Sequence, residues 1–146
     1  AGRILDLGVA VVAIKLGAAG LYLRTTADPA RLPALGPAWV GRELRVPAFR
    51  VPVIGTTGAG DCAIAGFLTG LLRGLGPEQA ALSAAAVGAF NVESPRNADD
   101  IPPWEVVRAR MAGGWAQYPL EIAVPGWRRG AEGVWYGPAE GGVGRE

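Results

Sequence analysis

The chain has 146 residues, half of them apolar and 18% charged, with a net charge of +1, no histidine and one cysteine. That size and apolar content suit one domain with a sizeable core and exclude disorder over most of the length. The near-neutral charge excludes the basic field that nucleic acid or an anionic membrane surface demands. The residue inventory excludes an internal disulfide, a zinc centre and a histidine-assisted nucleophile. Chemistry must come from carboxylates, arginines, the lone Lys15, hydroxyls and backbone amides. A single cysteine fits a reducing compartment, so a cytoplasmic location is expected.

The chain opens on Ala1 and reaches a buried-type strand almost at once, which suggests a fragment lacking an amino-terminal part. Asp6 and the lack of a small-residue cleavage site argue against a signal peptide. Val9 to Ile14 is a continuous β-branched-rich run, read as a strand buried on both faces of a parallel sheet. Lys15-Leu16-Gly17-Ala18-Ala19-Gly20 is a glycine-punctuated turn, and Leu21-Tyr22-Leu23 resumes as a short strand. Residues 25–41, broken by Pro29, Pro33, Gly36 and Pro37, read as loop. Leu44 to Ile54 alternates around Pro47 and Pro52, which predicts edge or irregular strands.

From Gly58 the period becomes helical. Ile64, Phe67, Leu68, Leu71, Leu72 and Leu75 form one apolar stripe. Gly66, Gly70 and Gly74 form a second stripe; each glycine costs about 1 kcal/mol against Ala in a helix, so the sheet or the next helix should press closely there. Packing explains that stripe better than a membrane-dimer face, because the uncharged run from Cys62 to Leu72 falls short of the ~20 residues that span a bilayer. Pro77 and Glu78 open a second helix rich in small residues, ending by Pro95. A third starts after Pro102-Pro103 and stops at Gly113-Gly114. Residues 119–146 read as an irregular Gly/Pro/Trp-containing tail whose last residues, GGVGRE, are disordered, giving a division into 1–118 and 119–146. Trp104, Trp115, Trp127 and Trp135 are expected as core or tail anchors rather than a sugar platform, and Arg128-Arg129 as a solvated pair.

The stretch GTTGAGDCAIAGF, residues 55–67, carries the chemistry. It is no P-loop, because Asp61 and Cys62 stand where Lys and Ser/Thr belong, and its glycines have the wrong order for a dinucleotide fingerprint. Gly58, Ala59 and Gly60 can instead aim backbone N–H groups at one point beside a helix N-terminus, a nest for phosphoryl oxygens. A carboxylate next to that nest can accept a proton from an attacking hydroxyl, and base plus anion hole suffice for phosphoryl transfer to an alcohol. The competing role for Asp61 is a carboxylate that serves only the helix end. For Lys15 it is a solvated strand-end lysine. Cys62 reads as a small buried residue without a catalytic role.

TTGAGDCAIAGFL, Thr56 to Leu68, resembles the carboxy-terminal signature of the PfkB, or ribokinase-like, carbohydrate kinases. VVAIKLGAAGLYL (Val11 to Leu23) and PEQAALSAAAVGAF (Pro77 to Phe90) resemble that family's nucleotide-site turn and nucleotide-side helix, in the family's order. The resemblance implies the carboxy-terminal part of a three-layer α/β/α sandwich, with mostly parallel strands and two to three helices. It implies Asp61 as catalytic base, Gly58, Ala59 and Gly60 as anion hole, and Lys15, Gly17, Gly20, Thr56 and Gly60 along ATP, with Mg²⁺ bridging the phosphates and no protein metal ligand. The substrate implied is a small sugar or nucleoside, with either a missing amino-terminal half or a homodimer as partner.

Gly55 stands where the family usually has Asp, and Glu93 to Ala98 lacks the glycine of its second cation-loop half, so a monovalent cation is not carried over. Ala85 stands where many members have an Asn near adenine. Two other readings remain open, a catalytically silent nucleotide-binding or regulatory domain and a vitamin-precursor kinase.

Overall fold

The computed structural model describes residues 1–141, the side chain of Asn97 apart. After a short helix α1 (Gly2–Asp6), strands β1 (Val11–Lys15) and β2 (Leu21–Thr25) form a hairpin. Its tip is possible because Gly17 and Gly20 adopt φ of +57° and +83°. At Gly20 the backbone also presses against the Val46 carbonyl, where any side chain would collide. β2 pairs with β3 (Glu43–Val46), and two short tail strands, β4 (Arg128–Arg129) and β5 (Trp135–Tyr136), complete a five-stranded sheet in the order β1-β2-β3-β5-β4. Every pairing is antiparallel.

The sheet therefore corrects the expectation of mostly parallel strands. A parallel neighbour needs a crossover of about a dozen residues or more, and the Leu16–Gly20 turn is far too short for one. β1 is also not buried on both faces: it is the sheet's outer strand, and of its five residues only Val12 is buried. β3, expected at an edge or as irregular strand, lies mid-sheet because β5 pairs along its far side.

Leu21, Leu23, Leu44 and Val46 share one face and are almost fully buried. They join one core with α3 (Pro77–Val92), whose buried side chains are mostly alanine. α2 (Ala59–Leu72) and α4 (Trp104–Ala112) pack on α3, so helices and sheet supply two of the three expected layers. The opposite sheet face carries Tyr22, Arg24 and Arg45, and there Trp127 of the tail lies 6.2 Å from the Tyr22 ring.

The two stripes of α2 exchange roles. Ile64, Leu68 and Leu72 are exposed, and of the apolar stripe only Phe67 is fully buried on the helix. Gly66 and Gly70 meet α3 instead: a methyl group on Gly66 would stand 2.6 Å from the Ser83 carbonyl, and one on Gly70 2.9 Å from Ala80 Cα. Gly74 lies past the helix end, at φ +71°. The helix starts at Pro77 and stops at Gly113-Gly114 fall where the sequence places them. Of the GGVGRE segment, Gly141 donates to the Gly41 carbonyl at 2.8 Å, and residues 142–146 lie outside the described ones.

Candidate active site

The chain enters α2 through Gly58, the N-cap residue, at φ +77° and ψ −8°, a left-handed conformation that glycine adopts without strain. No side chain caps this helix. Its first-turn amides thus point outward with no intrahelical acceptor. Asp61 lies in that first turn, is exposed and makes no side-chain capping bond. The Ala59 N–H, by contrast, donates to the Thr56 carbonyl at 3.2 Å and closes the turn.

Lys15 comes from the end of β1, and a methyl group on Gly60 would stand 2.6 Å from its Nζ. Lys15 and the glycine loop, 45 positions apart, therefore meet. The loop is anchored behind by Ile54 and Gly55, whose N–H groups both donate to the Val92 carbonyl at 2.9 and 3.2 Å. Beneath it lies Asn91, fully buried, whose Nδ2 donates to Cys62 Sγ at 3.4 Å and whose Oδ1 has no partner. Asn91 Nδ2 also sits 3.6 Å from where Gly58 would carry a methyl group, so it fills the space under the left-handed turn. Sequence reading missed this residue, since nothing in the local pattern of α3 marks it. Burial pushes the Cys62 thiol up, which leaves it a packing residue.

A cleft of about 400 Å³ opens here. Lys15, Gly17, Gly20, Thr56 and Gly60 all line it, together with Ala59. Its remaining wall is almost wholly apolar, from Phe49, Val51 and Val92 and from the small residues Ala85 and Gly88 on α3. Asp61 and Gly58 are not among the lining residues but flank it at the head of α2. Such a site sets backbone amides and one cation beside a mostly apolar lining. Among the described residues no cluster of three or more acidic, cysteine or histidine side chains could hold a metal ion, and no helix is long and apolar enough to cross a membrane.

Residues 1–104 match the family model for the pfkB family carbohydrate kinase. The chain belongs to that family. It is 34% identical over 101 residues to the 2-dehydro-3-deoxygluconokinase of Bacillus subtilis, covering 69% of this chain and 27% of the relative. It is likewise 34% identical over 71 residues to the nucleoside kinase of Methanocaldococcus jannaschii, covering 48% of this chain and 24% of that one. The chain thus spans about a quarter of the length of these curated relatives. Among solved structures, ribokinase from Thermotoga maritima superposes with a TM-score of 0.61 at 29% identity, over 77% of this chain and 33% of its own. Aminoimidazole riboside kinase from Salmonella enterica, solved with aminoimidazole riboside and an ATP analogue, does so at 0.56 and 29%, over 73% and 33%. The family's α/β fold is therefore present, and the sheet of this chain is antiparallel.

Proposed function

We propose that this chain forms the ATP-side part of a kinase that phosphorylates a hydroxyl of a small sugar or nucleoside. One observation carries the reading: the left-handed turn at Gly58, the uncapped start of α2 and the Lys15 ammonium converge at one end of an otherwise apolar cleft. Triphosphate oxygens fit the charged end and a flat base fits the apolar remainder. Lys15, Gly17, Gly20, Thr56 and Gly60 would border the nucleotide. The amides of Gly58 and Gly60 would form the anion hole, joined by that of Ala59 once its turn bond to Thr56 opens.

Asp61 is the proposed base. Its carboxylate accepts the proton of the substrate hydroxyl as that oxygen forms a bond to the γ-phosphorus; the bond to the β-phosphate oxygen breaks and ADP leaves with the electron pair. Placement of donors where charge develops is the main protein contribution in this class of reaction. Mg²⁺, when bound with ATP, would neutralise phosphate charge.

The test is an ADP-release screen of the full-length protein over sugars and nucleosides. Asp61→Asn should lower turnover by about 10²–10⁴-fold. Because Asp61 is exposed and caps nothing, its melting temperature should not change. Normal turnover in that variant would refute the assigned base. ATP binding without turnover on any acceptor would instead favour the silent nucleotide-binding reading.

A further inference from the structure

The cleft has one wall that the family match does not account for. Tyr118 lines it, although the matched region ends at residue 104. The residue is carried there by a short antiparallel contact between the start of the tail and the segment after β3. Arg50 N donates to the Ala116 carbonyl at 2.8 Å, Tyr118 N to the Ala48 carbonyl at 2.9 Å, and Phe49 and Gln117 form the bridge between them. Side chains lock the same contact: Trp115 stacks on Phe49 at 4.6 Å, and its indole N–H donates to the Arg50 carbonyl at 3.0 Å. The Arg50 guanidinium then lies over the Tyr118 ring, 5.6 Å from its centre. Tyr118 is 36% exposed, held through its backbone and beneath Arg50.

We propose that Tyr118 is a base-binding residue of the nucleotide site, an aromatic wall against which the base packs. The inference rests on the nucleotide reading given above and adds the base contact to it. Lys15 and Gly60, which meet at the start of α2, take the phosphates. The base is left with the apolar part, where Ala85 and its small neighbours on α3 offer no hydrogen-bonding side chain. An aromatic ring supplies affinity there without reading a base edge, since every base has a π-face. Tyr118 also separates this cleft from a second, more polar one lined by Arg50, Gln117 and Arg129.

The experiment is calorimetric binding of Mg·ATP, adenosine and inorganic tripolyphosphate to the full chain, to Tyr118→Ala and to Tyr118→Phe. Tyr118→Ala should weaken ATP and adenosine about 5- to 100-fold, the range for loss of a base–aromatic stack. It should leave tripolyphosphate binding and the melting temperature of the unliganded protein unchanged, and Tyr118→Phe should bind ATP as the parent does. Unchanged ATP affinity in Tyr118→Ala would overturn the role of Tyr118 while leaving the nucleotide reading intact. Equal losses for ATP and tripolyphosphate would also overturn it, by marking a structural disturbance. No ATP binding by the parent chain would overturn both.

Discussion

At the scale of single residues, the structure separates positions chosen for backbone shape from those chosen for chemistry. Gly20 and Gly58 are of the first kind: one has no room for a side chain, the other holds a left-handed turn at the head of α2. Asp61 and Lys15, both exposed beside those turns, are the two for which a chemical role is proposed. The two glycines were readable in sequence because each sits in a local glycine pattern, and the sequence placed Asp61 and Lys15 beside those patterns. Asn91 and Tyr118 were not, because each acquires its meaning from a partner far away in sequence: Cys62 for one, Ala48 and Arg50 for the other.

The clearest titration belongs to Tyr22, whose hydroxyl donates to Glu43 Oε1 at 2.7 Å. Burial, and then the Glu43 carboxylate, push its phenol up from 10.0 to about 12. A raised folded-state value means that the stability this bond contributes is fully present below pH 10.0 and is lost as pH rises through about 12. Following tyrosinate absorbance, a component at about 12 should disappear in Tyr22→Phe. If the parent and the variant differ only by a phenol of ordinary pKa, the buried bond is refuted.

At the scale of elements, helix boundaries were legible and helix faces were not. Pro77 and Gly113-Gly114 act through local backbone geometry, so α3 and α4 begin and end as sequence indicates. The α2 stripe failed because hydrophobic periodicity counts side chains, whereas the buried contact is made by the residues that have none. Strand direction failed for a related reason: a β-branched run states that a strand forms but not which neighbour it pairs with, and at β1 the short Leu16–Gly20 turn makes that neighbour antiparallel. Gly66 makes the helix argument testable. Gly66→Ala gains about 1 kcal/mol of helix propensity but drives a methyl group into the Ser83 carbonyl and Val87. Overpacking of about 1–3 kcal/mol against unyielding backbone should win, leaving a net loss on denaturant unfolding. Leu72→Ala, at a side chain 90% exposed, should shift stability by no more than about 0.5 kcal/mol. Equal stability of Gly66→Ala and the parent would mean that the two helices can part at no cost.

At the scale of the molecule, the open question in sequence was what residues after 118 do, and their composition gave no periodic signal. Their structural role rests on edges and buried charge. β5 covers the outer side of β3, and Gly137 N donates to the Glu43 carbonyl at 2.8 Å. Glu140 pairs with Arg42, which also pairs with Glu78 on α3, while its Oε2 accepts the Glu43 N–H at 2.7 Å. The Glu43 side chain is itself buried and accepts from Ala139 N at 2.7 Å. Burial pushes the Glu140 carboxyl up, and the cost of holding it there is offset by Arg42 and the backbone donor together. Removing residues 127–146 would therefore do two separate things. It would bare a strand whose side chains Leu44 and Val46 are fully buried, offering unpaired backbone groups to another copy. It would also leave Glu43 and Arg42 short of their partners, a loss typical of breaking a buried charged network. The truncated chain should melt at lower temperature and elute as larger species on gel filtration. Glu140→Gln, which keeps the strand but weakens the ion pair, should lower the melting temperature without changing the elution volume. A truncated chain with the parent's elution volume and melting temperature would show that β3 needs no cover and that the tail is only an appendage.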